Sequence, residues 1–85
     1  MATQQEILEA IREELTNIKV PGAEQASADQ TWADLDVDSL DLVEVVKALE
    51  DRFEILVADE ELPGVRTIGD AVAMVRRLAE SKAVA

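Results

Sequence analysis

Apolar residues recur at three- and four-residue intervals in three separate stretches of this chain, and that period restricts it to helices with one buried face. In the first stretch Ile7, Leu8, Ile11, Leu15 and Ile18 share a stripe while Glu6, Glu9, Arg12, Glu13 and Glu14 take other faces. Thr3 and Glu6 form a T-x-x-E capping box, so a helix is expected from there to about Ile18, closed by Val20-Pro21-Gly22. The second stretch runs from Ser39 to Phe53, with Leu42, Val46, Leu49 and Phe53 as its stripe and Val45 beside them. Asp38 has the chemistry of its N-cap, with Asp41 three residues on. Thr67 and Asp70 cap the third, whose stripe is Ile68, Ala71, Val72, Val75, Leu78 and Ala79, and Arg76, Arg77 and Lys82 lie near its C-terminus, where the helix dipole favours cations.

Between the first two helices lies a long connection in which Trp32 and Leu35 are the large apolar anchors. Ile55-Leu56-Val57 reads as a connector whose side chains plug the core. Asp59-Glu60-Glu61-Leu62 is expected to form one helical turn, stopped by Pro63-Gly64. The expected fold is all-α: a small antiparallel four-helix bundle of three main helices and one short one, with a long first loop, over a single domain spanning residues 1–85.

The chain of 85 residues contains no cysteine and no histidine. Disulfides, thiolate metal sites and a Ser-His-Asp hydrolase are thereby excluded. The formal net charge is −11, which argues against nucleic acid and anionic membrane as partners. Nine of those net charges arise between Asp34 and Glu61, where eleven carboxylates face only Lys47 and Arg52. Such a concentration suits a docking surface for basic partners, one that loses strength as salt rises. A run of this kind also serves simply to keep a small protein in solution. With no apolar run of membrane-spanning length and no signal-peptide pattern at the start, no membrane insertion and a cytoplasmic location are expected, as a monomer.

Ser39 falls on the first turn of the second helix, where unpaired N–H groups and the dipole favour an anion, and a covalently attached phosphate would be at home there. Two rival chemistries fail. Asp34-x-Asp36-x-Asp38 begins like a calcium-binding loop, but Ser39 stands where glycine makes the sharp turn and Val45 where a bidentate glutamate belongs, so no metal site is expected. As a nucleophile Ser39 lacks a base, because Lys47 is two helical turns away and the nearby acids disfavour an alkoxide. The serine suits the role of another enzyme's substrate better than that of a catalyst.

Leu35-Asp-Val-Asp38-Ser39-Leu40-Asp41-Leu-Val-Glu44 closely resembles the Leu-Gly-x-Asp-Ser-Leu-Asp-x-Val-Glu signature of bacterial acyl carrier proteins. The likeness continues through Ala48-Leu-Glu-Asp-Arg-Phe53 and Asp59-Glu-Glu61 to Thr67-Ile-Gly-Asp-Ala71, so it covers nearly the whole chain. The resemblance implies that Ser39 carries 4′-phosphopantetheine, installed from coenzyme A by a phosphopantetheinyl transferase with magnesium. Its terminal thiol would hold acyl groups as thioesters for fatty-acid or polyketide synthesis, the protein itself having no catalytic activity. It further implies that Asp38, Leu40, Asp41, Glu44, Glu50 and Asp51, with Lys47 at a partner-facing position, form the surface read by the transferase, ketosynthases, acyltransferases and other basic acyl-processing enzymes. Val43, Val46, Leu49 and Phe53 are the implied lining for an acyl chain entering between the helices.

The departures are Asp36 where the family usually has glycine, a Trp32 to Leu35 spacing one residue short, Lys47 where the family often has an apolar residue, Ala58 where proline is common, and the unusual Pro63-Gly64. Two alternatives remain beside the acyl carrier. One is a peptidyl or D-alanyl carrier using the same serine, although the residues before Ser39 lack the Gly-Gly usual in peptidyl carriers. The other is a non-covalent acidic interaction module in which Ser39 only starts a helix.

Overall fold

The computed structural model describes residues 3–84, with side chains as far as Ser81, so Lys82 lies outside the described side chains. Three long helices carry the fold: α1 (Gln4–Asn17), α2 (Ser39–Phe53) and α3 (Ile68–Val84). A short 3₁₀ helix, Asp59–Gly64, stands between α2 and α3, and two 3₁₀ turns, Ala23–Gln25 and Ala33–Leu35, punctuate the long first connection. The expected all-helical bundle, three main helices and a short one, is what the chain adopts.

The N-termini follow the capping chemistry. Thr3 Oγ1 accepts the Glu6 N–H at 3.1 Å while Glu6 reaches back to the Thr3 N–H at 3.4 Å, a closed capping box. Asp38 Oδ1 accepts the Asp41 N–H at 2.9 Å to start α2. At α3, Thr67 Oγ1 accepts the Asp70 N–H at 3.0 Å, and Asp70 Oδ2 returns to the N–H groups of Arg66 and Thr67, each at 3.1 Å.

The C-termini are decided by left-handed residues rather than by proline. Lys19 (φ 65°) ends α1: the Val20 N–H bonds the Leu15 carbonyl at 3.0 Å and the Lys19 N–H bonds that of Thr16 at 2.9 Å. This is a Schellman motif, and the helix is over before Pro21 is reached. Asp36 (φ 57°) closes the Ala33–Leu35 turn and Glu54 (φ 54°) closes α2. Asp36 thus occupies a backbone position that glycine fits without a Cβ penalty and that aspartate tolerates better than most residues. The 3₁₀ helix at Asp59–Gly64 is longer than the single expected turn and runs through Pro63, because the bond that closes it is donated by Val65 to the Leu62 carbonyl at 3.0 Å. Pro63 is asked for no N–H at that point.

Ile7, Ala10, Ile11 and Leu15 of α1, Val45, Val46 and Leu49 of α2, and Ile68, Ala71, Val72, Met74 and Val75 of α3 are buried. Leu42, Phe53, Leu78 and Ala79, assigned to stripes by spacing, are only half-buried against this core, and Val45 rather than Leu42 is the deepest apolar residue in its turn. The long connection is not slack. Ala23, Ala26, Trp32, Leu35 and Val37 are all buried, and the Arg12 Nε–H donates to the Ala26 carbonyl at 2.8 Å. Residues 28–32 run beside the segment leading into α3: Gly69 N–H to the Ala28 carbonyl (2.9 Å), Ile68 N–H to Gln30 (3.0 Å) and Trp32 N–H to Arg66 (3.3 Å), with an antiparallel bridge between Thr31 and Thr67. Trp32 Nε1–H donates to the buried Val65 carbonyl at 3.0 Å, which makes the indole a polar clasp as well as an apolar plug.

One expectation fails at Ile55-Leu56-Val57. Ile55 is buried and Val57 half-buried, but Leu56 is 87% exposed. The left-handed Glu54 turns the chain as it leaves α2, and from there Ile55 meets the core while Leu56 faces solvent.

Candidate functional site

Ser39 is the first residue of α2 and is exposed. Asp38 spends its carboxylate on the Asp41 N–H, so by helix geometry the N–H groups of Ser39 and Leu40 are the ones left without a carbonyl at this end. The position therefore combines a reachable hydroxyl, which no group among the described residues engages, with the positive end of a 15-residue helix. A phosphodiester on the hydroxyl would meet those N–H groups and would require no rearrangement of the core. The residues present fit such a group.

Leu40, Glu44, Lys47 and Asp51 follow at four-, three- and four-residue intervals and form the solvent face of α2, opposite Val45, Val46 and Leu49. All four are exposed, Leu40 at 78%. Lys47 is spaced for ion pairs with Glu44 and Asp51 but makes neither. Asp38 is exposed and Asp41 half-buried on the first turn. Glu50 stands apart: it is half-buried, and its Oε2 accepts the Val57 N–H at 2.8 Å, pinning the chain that leaves the helix. Arg52, the other base of the acidic segment, pairs with Glu13 of α1 at 3.3 Å and so neutralises none of the face. Val43, one of the implied acyl-lining residues, is 38% exposed and lies on the surface flank beside Leu40 rather than between helices, whereas Val46 and Leu49 are in the core.

The first three acids of the calcium-like run have other employment. Asp34 Oδ2 accepts the Thr31 N–H at 3.2 Å and Thr31 Oγ1 accepts that of Asp34 at 3.0 Å, a reciprocal cap across the turn, while Asp38 caps α2 and Asp36 sits in its left-handed turn. Leu40, Val43 and Leu56 are the large apolar side chains exposed among the described residues, and of these Leu56 is the one that sequence reasoning placed in the core instead. No signal in the run Ile55-Leu56-Val57 separates the exposed member from the buried one, because the turn at Glu54 sets the register.

Residues 5–75 match the family described as the phosphopantetheine attachment site. The chain belongs to that family. It is similar to the meromycolate extension acyl carrier protein of Mycolicibacterium smegmatis, 35% identical over 80 residues that cover 93% of this chain and 81% of the relative. It is also similar to acyl carrier proteins of Rhodococcus erythropolis (41% identical; 89% of this chain, 85% of the relative) and Kineococcus radiotolerans (36%; 88% and 94%). The chain is accordingly an acyl carrier of lipid synthesis, and its prosthetic group is covalent 4′-phosphopantetheine. These relatives favour the acyl carrier over the aminoacyl carrier and over the non-covalent module. Among the described residues no helix is long and apolar enough to cross a membrane.

Proposed function

We propose that Ser39 is the residue that carries the phosphopantetheine arm, and that the protein is a single carrier domain over residues 1–85, acting in the cytoplasm as a monomer with no catalysis of its own. The reading rests on one observation: an exposed, unengaged serine hydroxyl on the first turn of α2, inside the stretch matched by the family. A transferase would direct Ser39 Oγ at the β-phosphorus of coenzyme A. The Oγ–P bond forms, the P–O–P bond breaks, adenosine 3′,5′-bisphosphate leaves, and the hydroxyl proton passes to a base on the transferase. Once bound, the arm supplies a thiol that holds acyl groups as thioesters.

The chain's own residues do three things. The α2 N-terminus offers N–H groups to the diester, and Asp38 fixes the turn on which Ser39 stands. Leu40, Glu44, Lys47 and Asp51, with Asp41 at the first turn, present a mixed acidic and apolar face to the phosphopantetheinyl transferase, ketosynthases and acyltransferases. Glu50 holds the far end of that face in shape through Val57. The mycobacterial-type relatives make extension of long fatty acyl chains the reading of choice among lipid pathways.

The test is incubation with coenzyme A, magnesium and a broad-specificity phosphopantetheinyl transferase, followed by intact mass. One added phosphopantetheine, lost in Ser39→Ala, supports the assignment; an unmodified protein with an active transferase removes it. Reversal of Glu44 and Asp51 to lysine is expected to slow modification and flatten its salt dependence, and an unchanged rate and slope would remove the electrostatic dock.

A further inference from the structure

Just beyond α2 the chain forms a hollow of about 360 Å³ lined by Glu50, Asp51, Glu54, Ile55 and Leu56. Its apolar wall is the exposed Leu56, and the backbone that presents Leu56 is held at three points. Glu54 is left-handed, the Ile55 N–H bonds the Glu50 carbonyl at 3.1 Å, and the Val57 N–H bonds the Glu50 carboxylate at 2.8 Å. Ile55 is meanwhile locked in the core. A leucine that is mostly solvent-exposed on a backbone held in place loses little main-chain freedom on binding, which suits an interface anchor. Asp51 and Glu54 rim it, Asp59 and Glu60 follow in sequence, and the nearby cation, Arg52, is turned to Glu13.

We infer that Leu56 and its carboxylate rim form a second docking point at the C-terminal end of α2, whose occupant is a partner-protein surface presenting an apolar side chain flanked by arginine or lysine. The inference deepens the carrier reading. Leu40 and this hollow bracket α2 at a separation of about 20 Å along its axis. A partner acting at Ser39 would then grip the helix at both ends, apolar to apolar, across the acidic strip between them. Charge complementarity selects a basic surface, and the hollow selects an apolar projection on it rather than charge alone.

The experiment uses ¹⁵N-labelled protein titrated with a cationic amphipathic peptide that carries one leucine flanked by arginines. Shift changes are expected at Glu50, Asp51, Leu56 and Val57. Leu56→Ser should weaken binding about fivefold or more and Leu56→Met should preserve it, the size of a modest anchor. Three results would each overturn the inference: equal affinity for a peptide lacking the leucine, changes centred on Leu40 and Glu44 instead, or no binding at low salt. Because the titration needs no modification of Ser39, its failure is separate from failure of the carrier assignment.

Discussion

The Gly69 N–H donates to the Ala28 carbonyl at 2.9 Å, and a Cβ on Gly69 would lie 3.0 Å from that same oxygen and 3.3 Å from the Ala28 Cβ. The first turn of α3 and the long connection therefore run close together, and a side chain at position 69 would crowd the Ala28 carbonyl. Gly69→Ala gains about 0.8–1 kcal/mol of helix propensity against that crowding, so the two effects nearly cancel. Gly69→Val adds bulk with less propensity gain and is expected to cost about 2 kcal/mol, a fall in Tm of roughly 8–16 °C for a domain of this size. Thermal unfolding by circular dichroism checks the order of the two variants.

Trp32 tests whether the connection is held by a hydrogen bond or by bulk alone. Trp32→Phe keeps an aromatic plug but leaves the Val65 carbonyl unpaired, a loss of about 1–3 kcal/mol. Trp32→Ala removes the plug as well and should cost about 3–5 kcal/mol. Urea titrations followed by circular dichroism would separate them, and a Trp32→Phe variant as stable as the unaltered protein would show that the indole N–H contributes nothing.

Glu50 distinguishes a docking acid from a structural one. If its main work is to accept the Val57 N–H, Glu50→Gln keeps the acceptor and holds stability within about 0.5 kcal/mol, while Glu50→Ala costs about 1 kcal/mol. The transferase rate with Glu50→Gln, measured beside Asp51→Asn, reads the docking part separately.

The Asp70 carboxyl is held below its ordinary value of 3.8, first by the Arg66 N–H, then by that of Thr67, with smaller help from the Thr67 hydroxyl and the Arg66 charge. A lowered folded-state pKa means that the ionised form favours the native chain. Its stabilisation is fully present above about pH 4 and is lost as pH falls through the lowered folded value. The Tm difference between the protein and Asp70→Asn should therefore be constant near neutrality and shrink in acid. A difference that grows on acidification would refute the sign.

Helix starts and the long-period stripes were readable because both are local: a capping box at Thr3 and Glu6, or Ile7, Ile11 and Leu15 on one face, needs no knowledge of the rest of the chain. The helix start at Ser39 was readable for the same reason, since Asp38 and the first turn of its own helix set it. The misreadings share a different cause. Leu56 looked like core because apolar character is local while its direction is set by a left-handed Glu54. The bond from Glu50 to Val57 left no local signal, because Val57 lies beyond the helix end. Met74 escaped its stripe although it is buried, and Ala28 meets Gly69 only after the whole chain has closed.

The ladder joining residues 28–32 to 66–69 has a consequence for how the molecule opens. Each side supplies acceptors or donors that the other needs, so neither can detach without stranding the other's main chain. The connection and the start of α3 should exchange their amide protons as one cooperative unit, at rates that report a single shared opening. A segment that by length alone would be called a tether is in this protein the part of the clockwork that times its loosening.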